Sequence, residues 1–146
     1  MFRYVVILGI LILSCKSKQK ALPESNNNDA QDMIVMIEDS YFPTEEPFNL
    51  KIDDQKSLNN FFSKLNRTRK PGISVPIVDF KEYSIIISCV GEQKDVDRIE
   101  LLRKSETDNS IEIEIVFFEN KDSQDFLFYP FAIYKLAKTN KKIIFK

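Results

Sequence analysis

The stretch Tyr83-Ser84-Ile85-Ile86-Ile87-Ser88-Cys89-Val90 narrows the possible folds of this chain more than any other. Its three isoleucines run without a break, and the stretch ends at Gly91. Successive side chains on a strand point to opposite faces, so an unbroken apolar run needs cover on both. The stretch is therefore expected to be a central strand with packing above and below it.

Two other segments carry clear periodicity. Leu58, Phe61, Phe62 and Leu65 fall at i, i+3, i+4 and i+7, with Asn59, Asn60, Ser63 and Lys64 between them. This is one apolar stripe on a helix, expected over about residues 55–66 with Asp53 or Asp54 as its N-cap. Ile111-Glu112-Ile113-Glu114-Ile115 alternates strictly, the pattern of a strand with one buried face.

Around these, Met33–Ile37 is expected to be a short buried strand, and Phe48–Ile52 a second with one buried face. Tyr41–Pro47, with two prolines, reads as a loop. From Val75 onward the pattern is strand after strand, with Val78-Asp79-Phe80 leading into Tyr83–Val90. Gly91–Asp95 reads as a polar turn and Val96–Leu102 as a mixed strand. Thr107–Ser110 reads as a tight turn, and Ile143-Ile144-Phe145 as a final strand. Phe126–Tyr134 is dense in aromatics, and Pro130 within it suits an edge or a bulge. The expected class is α+β: a mostly antiparallel sheet, curled or sandwich-like, with one covering helix.

Composition removes several chemistries. The chain has no His, three Gly and two Cys, Cys15 and Cys89. A Ser-His-Asp triad, a zinc cluster and a Gly-rich phosphate loop are thereby excluded, and no cofactor is called for. The net charge of −1 argues against nucleic acid as a partner. Cys89 lies in the apolar strand and reads as a buried, inert thiol.

The N-terminus carries a different signal. Arg3 precedes an apolar run, Val5–Leu13, which as a helix is about half the thickness of a bilayer core. That is too short to span and suits the apolar region of a secretory signal. Ile12-Leu13-Ser14-Cys15 then resembles the bacterial lipoprotein signal: an aliphatic residue, a variable one, a small one, then Cys. The resemblance implies cleavage between Ser14 and Cys15 and a diacylglycerol on the Cys15 thiol. Two or three acyl chains anchor firmly where one binds marginally. The expected division is a signal peptide over 1–14, a lipidated Cys and polar tether over 15–32, and one domain over 33–146. The expected location is the bacterial cell envelope, on its periplasmic or surface face, with the lipid bilayer as first partner.

The second half shows a further likeness. It is carried by Val78-Asp79-Phe80 before the strand that ends at Gly91, by Tyr129-Pro130-Phe131, and by Tyr134-Lys135-Leu136-Ala137-Lys138-Thr139-Asn140 leading to Ile143-Ile144-Phe145. Together these resemble the C-terminal domain of the protease-complex subunit PrcB family, over roughly residues 48–146. The family carries a Thr-Gly-Gly-Tyr-like turn after the strand glycine, where this chain has Glu92-Gln93-Lys94-Asp95-Val96-Asp97. The resemblance implies a small non-enzymatic domain that assists or binds other proteins.

Glu112 with Glu114, Asp95 with Asp97, and Asp122 with Asp125 are the paired carboxylates that acid/base chemistry or Ca²⁺ would use. Alternation places the first pair on the wet face. The leading expectation is a non-catalytic interaction module of the envelope that assists or restrains a protease; the rings of Phe126–Tyr134 read first as core, and Tyr129, Phe131, Tyr134, Lys135 and Lys138 are the candidate partner surface if they are exposed instead. The alternatives are a small-molecule-binding lipoprotein and a carboxylate-dependent hydrolase.

Overall fold

The computed structural model describes residues 33–120 and 126–146. The signal peptide, Cys15, the tether, Asp122 and Asp125 lie outside the described residues. In chain order the elements are β1 (Met33–Asp39), β2 (Phe48–Ile52), α1 (Gln55–Leu65), β3 (Tyr83–Cys89), β4 (Gln93–Lys94), β5 (Val96–Glu106), β6 (Ser110–Glu119), β7 (Leu127–Phe128), β8 (Phe131–Ala137) and β9 (Lys142–Phe145). Asn66–Thr68 adds one 3-10 turn after the helix.

A four-stranded antiparallel sheet in the order β1-β8-β3-β2 forms the middle layer. The isoleucine run is interior to it and covered on both faces. Ile85, Ile87 and Cys89 turn toward α1 and cluster with Leu58, Phe61, Phe62, Leu65, Phe131 and Ile133. Ile86 turns the other way and meets Ile99, Leu101, Ile111 and Ile113 of a second sheet, β5-β6-β9. The fold is thus α+β and mostly antiparallel, with one helix among the described residues and two unclosed sheets packed face to face. The burial of β3 follows from its composition: every side chain from Ser84 to Cys89 is removed from water.

The helix follows its sequence signals closely. Asp54 is the N-cap in extended geometry, and its carboxylate accepts from the Ser57 N–H at 2.8 Å. All four stripe residues are buried.

Four local expectations are corrected. Met33–Ile37 is not fully buried: β1 is an edge strand paired only with β8, and Ile34 and Val35 are about half exposed. Residues 72–79 form no strand; they run without turn or bend along the helix, because Pro71 and Pro76 lack donors for a ladder. Gly91–Asp95 is not only a turn, since Gln93 and Lys94 pair with Phe128 and Leu127. Finally, β9 runs parallel to β6, from Ser110↔Lys142 to Ile113↔Phe145, where an antiparallel strand was expected.

Polar contacts tie the layers at their rims. Arg69 donates from both terminal nitrogens to Asp39, each at 2.9 Å, and also to the Tyr41 carbonyl, pinning the post-helix loop to the end of β1. Asp53 accepts from Lys138 at 2.7 Å and from the buried Ser84 hydroxyl at 2.5 Å, with the Lys51 ammonium 3.4 Å away. Burial pushes the Asp53 carboxyl up, but the bonds from Lys138 and Ser84 and the Lys51 charge outweigh it and hold it below its ordinary value. A depressed carboxylate contributes stability above its unfolded value and loses it as pH falls through the folded one. Wild-type urea midpoints should therefore fall as pH drops below the ordinary carboxylate value, and Asp53→Asn should flatten part of that fall. Identical pH profiles for the two proteins would disprove this.

Candidate functional site

The described surface contains an open groove of about 580 Å³ between the loop after β1, the strand β2 and the helix α1. Its floor is aromatic. The Phe42 and Phe61 rings stack at 5.4 Å, and Phe48 meets Phe42 edge-on at 5.1 Å. Phe42 and Phe61 are buried beneath, whereas Leu50 stands 40% exposed within the groove. Lys64 and Arg67 lie along the helical side and Glu46 along the loop side.

The elements place these groups for simple reasons. β2 pairs only with β3, so the backbone groups on its outer edge lack a strand partner. Helix α1 turns its apolar stripe inward, which leaves Asn60 and Lys64 on the flank facing β2. Gly91, at φ +71°, brings β3's end close under the loop, and the Glu92 N–H donates to the Glu45 carbonyl at 3.3 Å. An unpaired strand edge beside an apolar floor can accept an extended peptide by main-chain bonding, with alternate side chains entering the groove.

The predicted partner surface is not assembled. Phe131 is wholly buried, packed edge-on against Phe42 at 5.5 Å, and Tyr134 is 7% exposed. Burial and a hydrogen bond from its hydroxyl to Glu38, 2.7 Å, push the Tyr134 phenol well above its ordinary value. The Tyr129 hydroxyl donates to Glu92 at 2.9 Å, and that bond raises its own pKa. Lys135 lies 4.4 Å from the Tyr83 ring centre, and Lys138 is engaged by Asp53. Phe131, Tyr134 and Lys135 belong to β8, the second interior strand of the middle sheet, while Tyr129 and Lys138 flank it and are engaged by Glu92 and Asp53.

Three of the paired carboxylates, Glu112, Glu114 and Asp97, are occupied by hydrogen-bond partners, whereas the Asp95 Oδ1 is buried without one. Glu112 accepts from Ser105 at 2.7 Å and pairs with Lys146, and hydrogen bonding to Lys146 holds its carboxyl below its ordinary value. A general acid needs the opposite shift. Glu114 accepts from Lys104 at 2.7 Å. Asp97 accepts from the Asn120 amide at 2.6 Å, while Asp95 sits beside it in the left-handed region at φ +63°. Among the described residues no group of three or more potential ligands is placed to hold a metal ion. The Cys89 thiol is buried, and burial raises its pKa against a smaller lowering by Gly91, as an inert thiol requires.

No family model, no curated protein and no solved structure matches the chain. The groove was not anticipated from sequence. Phe48, Leu50 and Ile52 show as one face of a strand, but nothing local says that this strand ends the sheet, or that Phe42 from a proline-rich loop folds over to floor the gap beside it.

Proposed function

We propose that this chain is an envelope-anchored bacterial lipoprotein, held by acyl chains on Cys15, whose domain is a non-catalytic protein-binding module. It receives an extended segment of a partner protein along the free edge of β2 and thereby assists or restrains a protease. The likeness to the PrcB C-terminal domain over residues 48–146 belongs to the same proposal.

The observation that carries the reading is the groove: apolar at its floor, open along an unpaired strand edge, cationic on one rim. A partner segment with aliphatic residues at alternate positions and an acidic residue near Lys64 and Arg67 fits it. Openness favours this over a small-ligand site, since such sites enclose most of their ligand. The surface pairing of Glu112 and Glu114 with lysines argues against hydrolysis by those carboxylates.

A photo-crosslinking residue at position 50, introduced into the full chain in intact cells, tests it. The expected result is one recurrent protein adduct, reduced about tenfold or more by a Lys64→Glu, Arg67→Glu change. In parallel, a fatty-acid analogue should label the wild type and be lost in Cys15→Ala. Absence of any adduct, or label that persists in Cys15→Ala, overturns the corresponding half of the proposal.

A further inference from the structure

The groove beside β2 has a direction, and the backbone sets it. The Lys138 N–H donates to the Glu82 carbonyl at 2.7 Å, and the Val90 N–H to the Pro130 carbonyl at 3.3 Å. Hydrogen-bonded pairs recur at every second residue of an antiparallel ladder, so Ser84, Ile86 and Ser88 turn their backbone groups to β8. Ile85, Ile87 and Cys89 turn theirs to β2, where they engage Ile52, Leu50 and Phe48. The N–H and C=O groups of Asn49 and Lys51 are left pointing outward. Among the described residues no hydrogen bond reaches either of those two backbones.

An added strand can follow this edge only as far as Asn49. The next residue with outward groups is Pro47, which has no N–H to give. Pro43, Thr44 and Pro47 line the groove at that end.

The opposite wall is the flank of α1, with Ser57, Asn60 and Lys64, followed by Arg67. Residues 72–79 fix the far side of the helix. The Asn66 amide donates to the Ile73 carbonyl at 2.8 Å and accepts from the Ile73 N–H at 2.7 Å. The Gln55 amide donates to the Pro76 carbonyl at 3.0 Å and accepts from the Val78 N–H at 3.2 Å. The helix runs back along β2, and the Phe61 ring lies 6.4 Å from that of Phe48, so Lys64 and Arg67 stand at the Phe48 end. Both are exposed, and among the described residues neither side chain has an ion-pair or hydrogen-bond partner. The charged lining of the groove is these two cations against one carboxylate, Glu46.

A strand antiparallel to β2 would finish at the cations, whereas a parallel one would start there and bring its ammonium to them. Charge selects the first direction, and the blocked end selects a chain terminus. We propose that the groove takes the free C-terminus of a partner protein, antiparallel to β2, with its α-carboxylate at Lys64 and Arg67 and aliphatic side chains at its last, third-last and fifth-last positions. Those positions stand opposite Phe48, Leu50 and Ile52 and share their face, so their side chains enter the groove. The second-last and fourth-last residues exchange main-chain bonds with Asn49 and Lys51. This assignment rests on the reading of the groove as a receptor for an extended segment and names which segment it receives.

Random heptapeptides displayed with a free C-terminus, panned on the full chain, supply the probes. Enriched sequences should carry aliphatic residues at the three named positions. Each synthetic winner should bind about tenfold or more weakly as its C-terminal amide, or with two glycines added after its last residue. Lys64→Glu, Arg67→Glu should abolish the difference between acid and amide. Asn49→Pro removes an outward donor but no bond between β2 and β3, so it should leave the urea midpoint nearly in place while weakening the acid by about tenfold. The inference is overturned if no sequence is enriched, or if the winners bind equally well as amides. In either case a protein adduct through position 50 that persists in cells removes only the terminus and leaves the extended-segment reading standing, whereas loss of the adduct as well removes both.

Discussion

Phe62→Ala is expected to destabilise the domain by about 3–5 kcal/mol. Phe62 is fully buried on α1, with the Phe61 ring 5.9 Å away and the isoleucines of β3 beneath. Among the described residues no second helix covers that face of the middle sheet, so no neighbouring element is free to close the space a ring leaves. The cost has two parts, the lost transfer energy of the ring and the cavity that remains. A domain of this size holds about 5–15 kcal/mol in all, so this one change removes a large share of it. Urea unfolding of the two proteins measures it, as a shift of midpoint at constant slope. A loss below about 1 kcal/mol would mean that α1 is not the lid of this core.

Gly91→Ala is expected to be the most damaging change outside the core. Gly91 has φ +71°, where an L side chain costs about 1–3 kcal/mol. A Cβ there would also lie 2.5 Å from the Glu45 carbonyl oxygen and 3.1 Å from the Pro47 nitrogen. Both are backbone atoms, so the clash is relieved only by moving the loop, which breaks the Glu92-to-Glu45 hydrogen bond. That loop carries Phe42 and forms one wall of the groove. Two readouts should move together: the unfolding midpoint and the crosslink through position 50. Gly72→Ala is the contrast. Its nearest contact is the Asn66 side chain at 3.0 Å, and its backbone is not left-handed, so the loss should be smaller. Equal losses at the two glycines would refute the argument.

The helix and the central strand were readable because their signals are local. Four apolar residues at helical spacing define one stripe, and three consecutive isoleucines demand two-sided cover whatever the rest of the chain does. The alternation of Ile111–Ile115 was equally plain: Ile111 and Ile113 are buried, and Glu112 and Glu114 face out into ion pairs. The aromatic segment was harder to read. Phe131 and Tyr134 read as core yet stayed candidates for a partner surface because aromatic density is common to cores and interfaces, and only the position of β8 between β1 and β3 separates the two. Residues 72–79 misled in another way. Ile73, Val75, Ile77 and Val78 have strand-like composition, yet the ladder is replaced by amides from Gln55 and Asn66, residues with no sequence mark of that role.

Composition and periodicity alone settled that the described residues build a two-faced sheet with a helix over one face, and that this sequence holds no His from which a Ser-His-Asp triad could be made. Which strand ends the sheet, which loop folds beside it and which apolar residue is left in water were decided by tertiary structure. The physical reason is range. Burial pattern is written every two or four residues along the chain, whereas a free edge is defined by a strand that is not there.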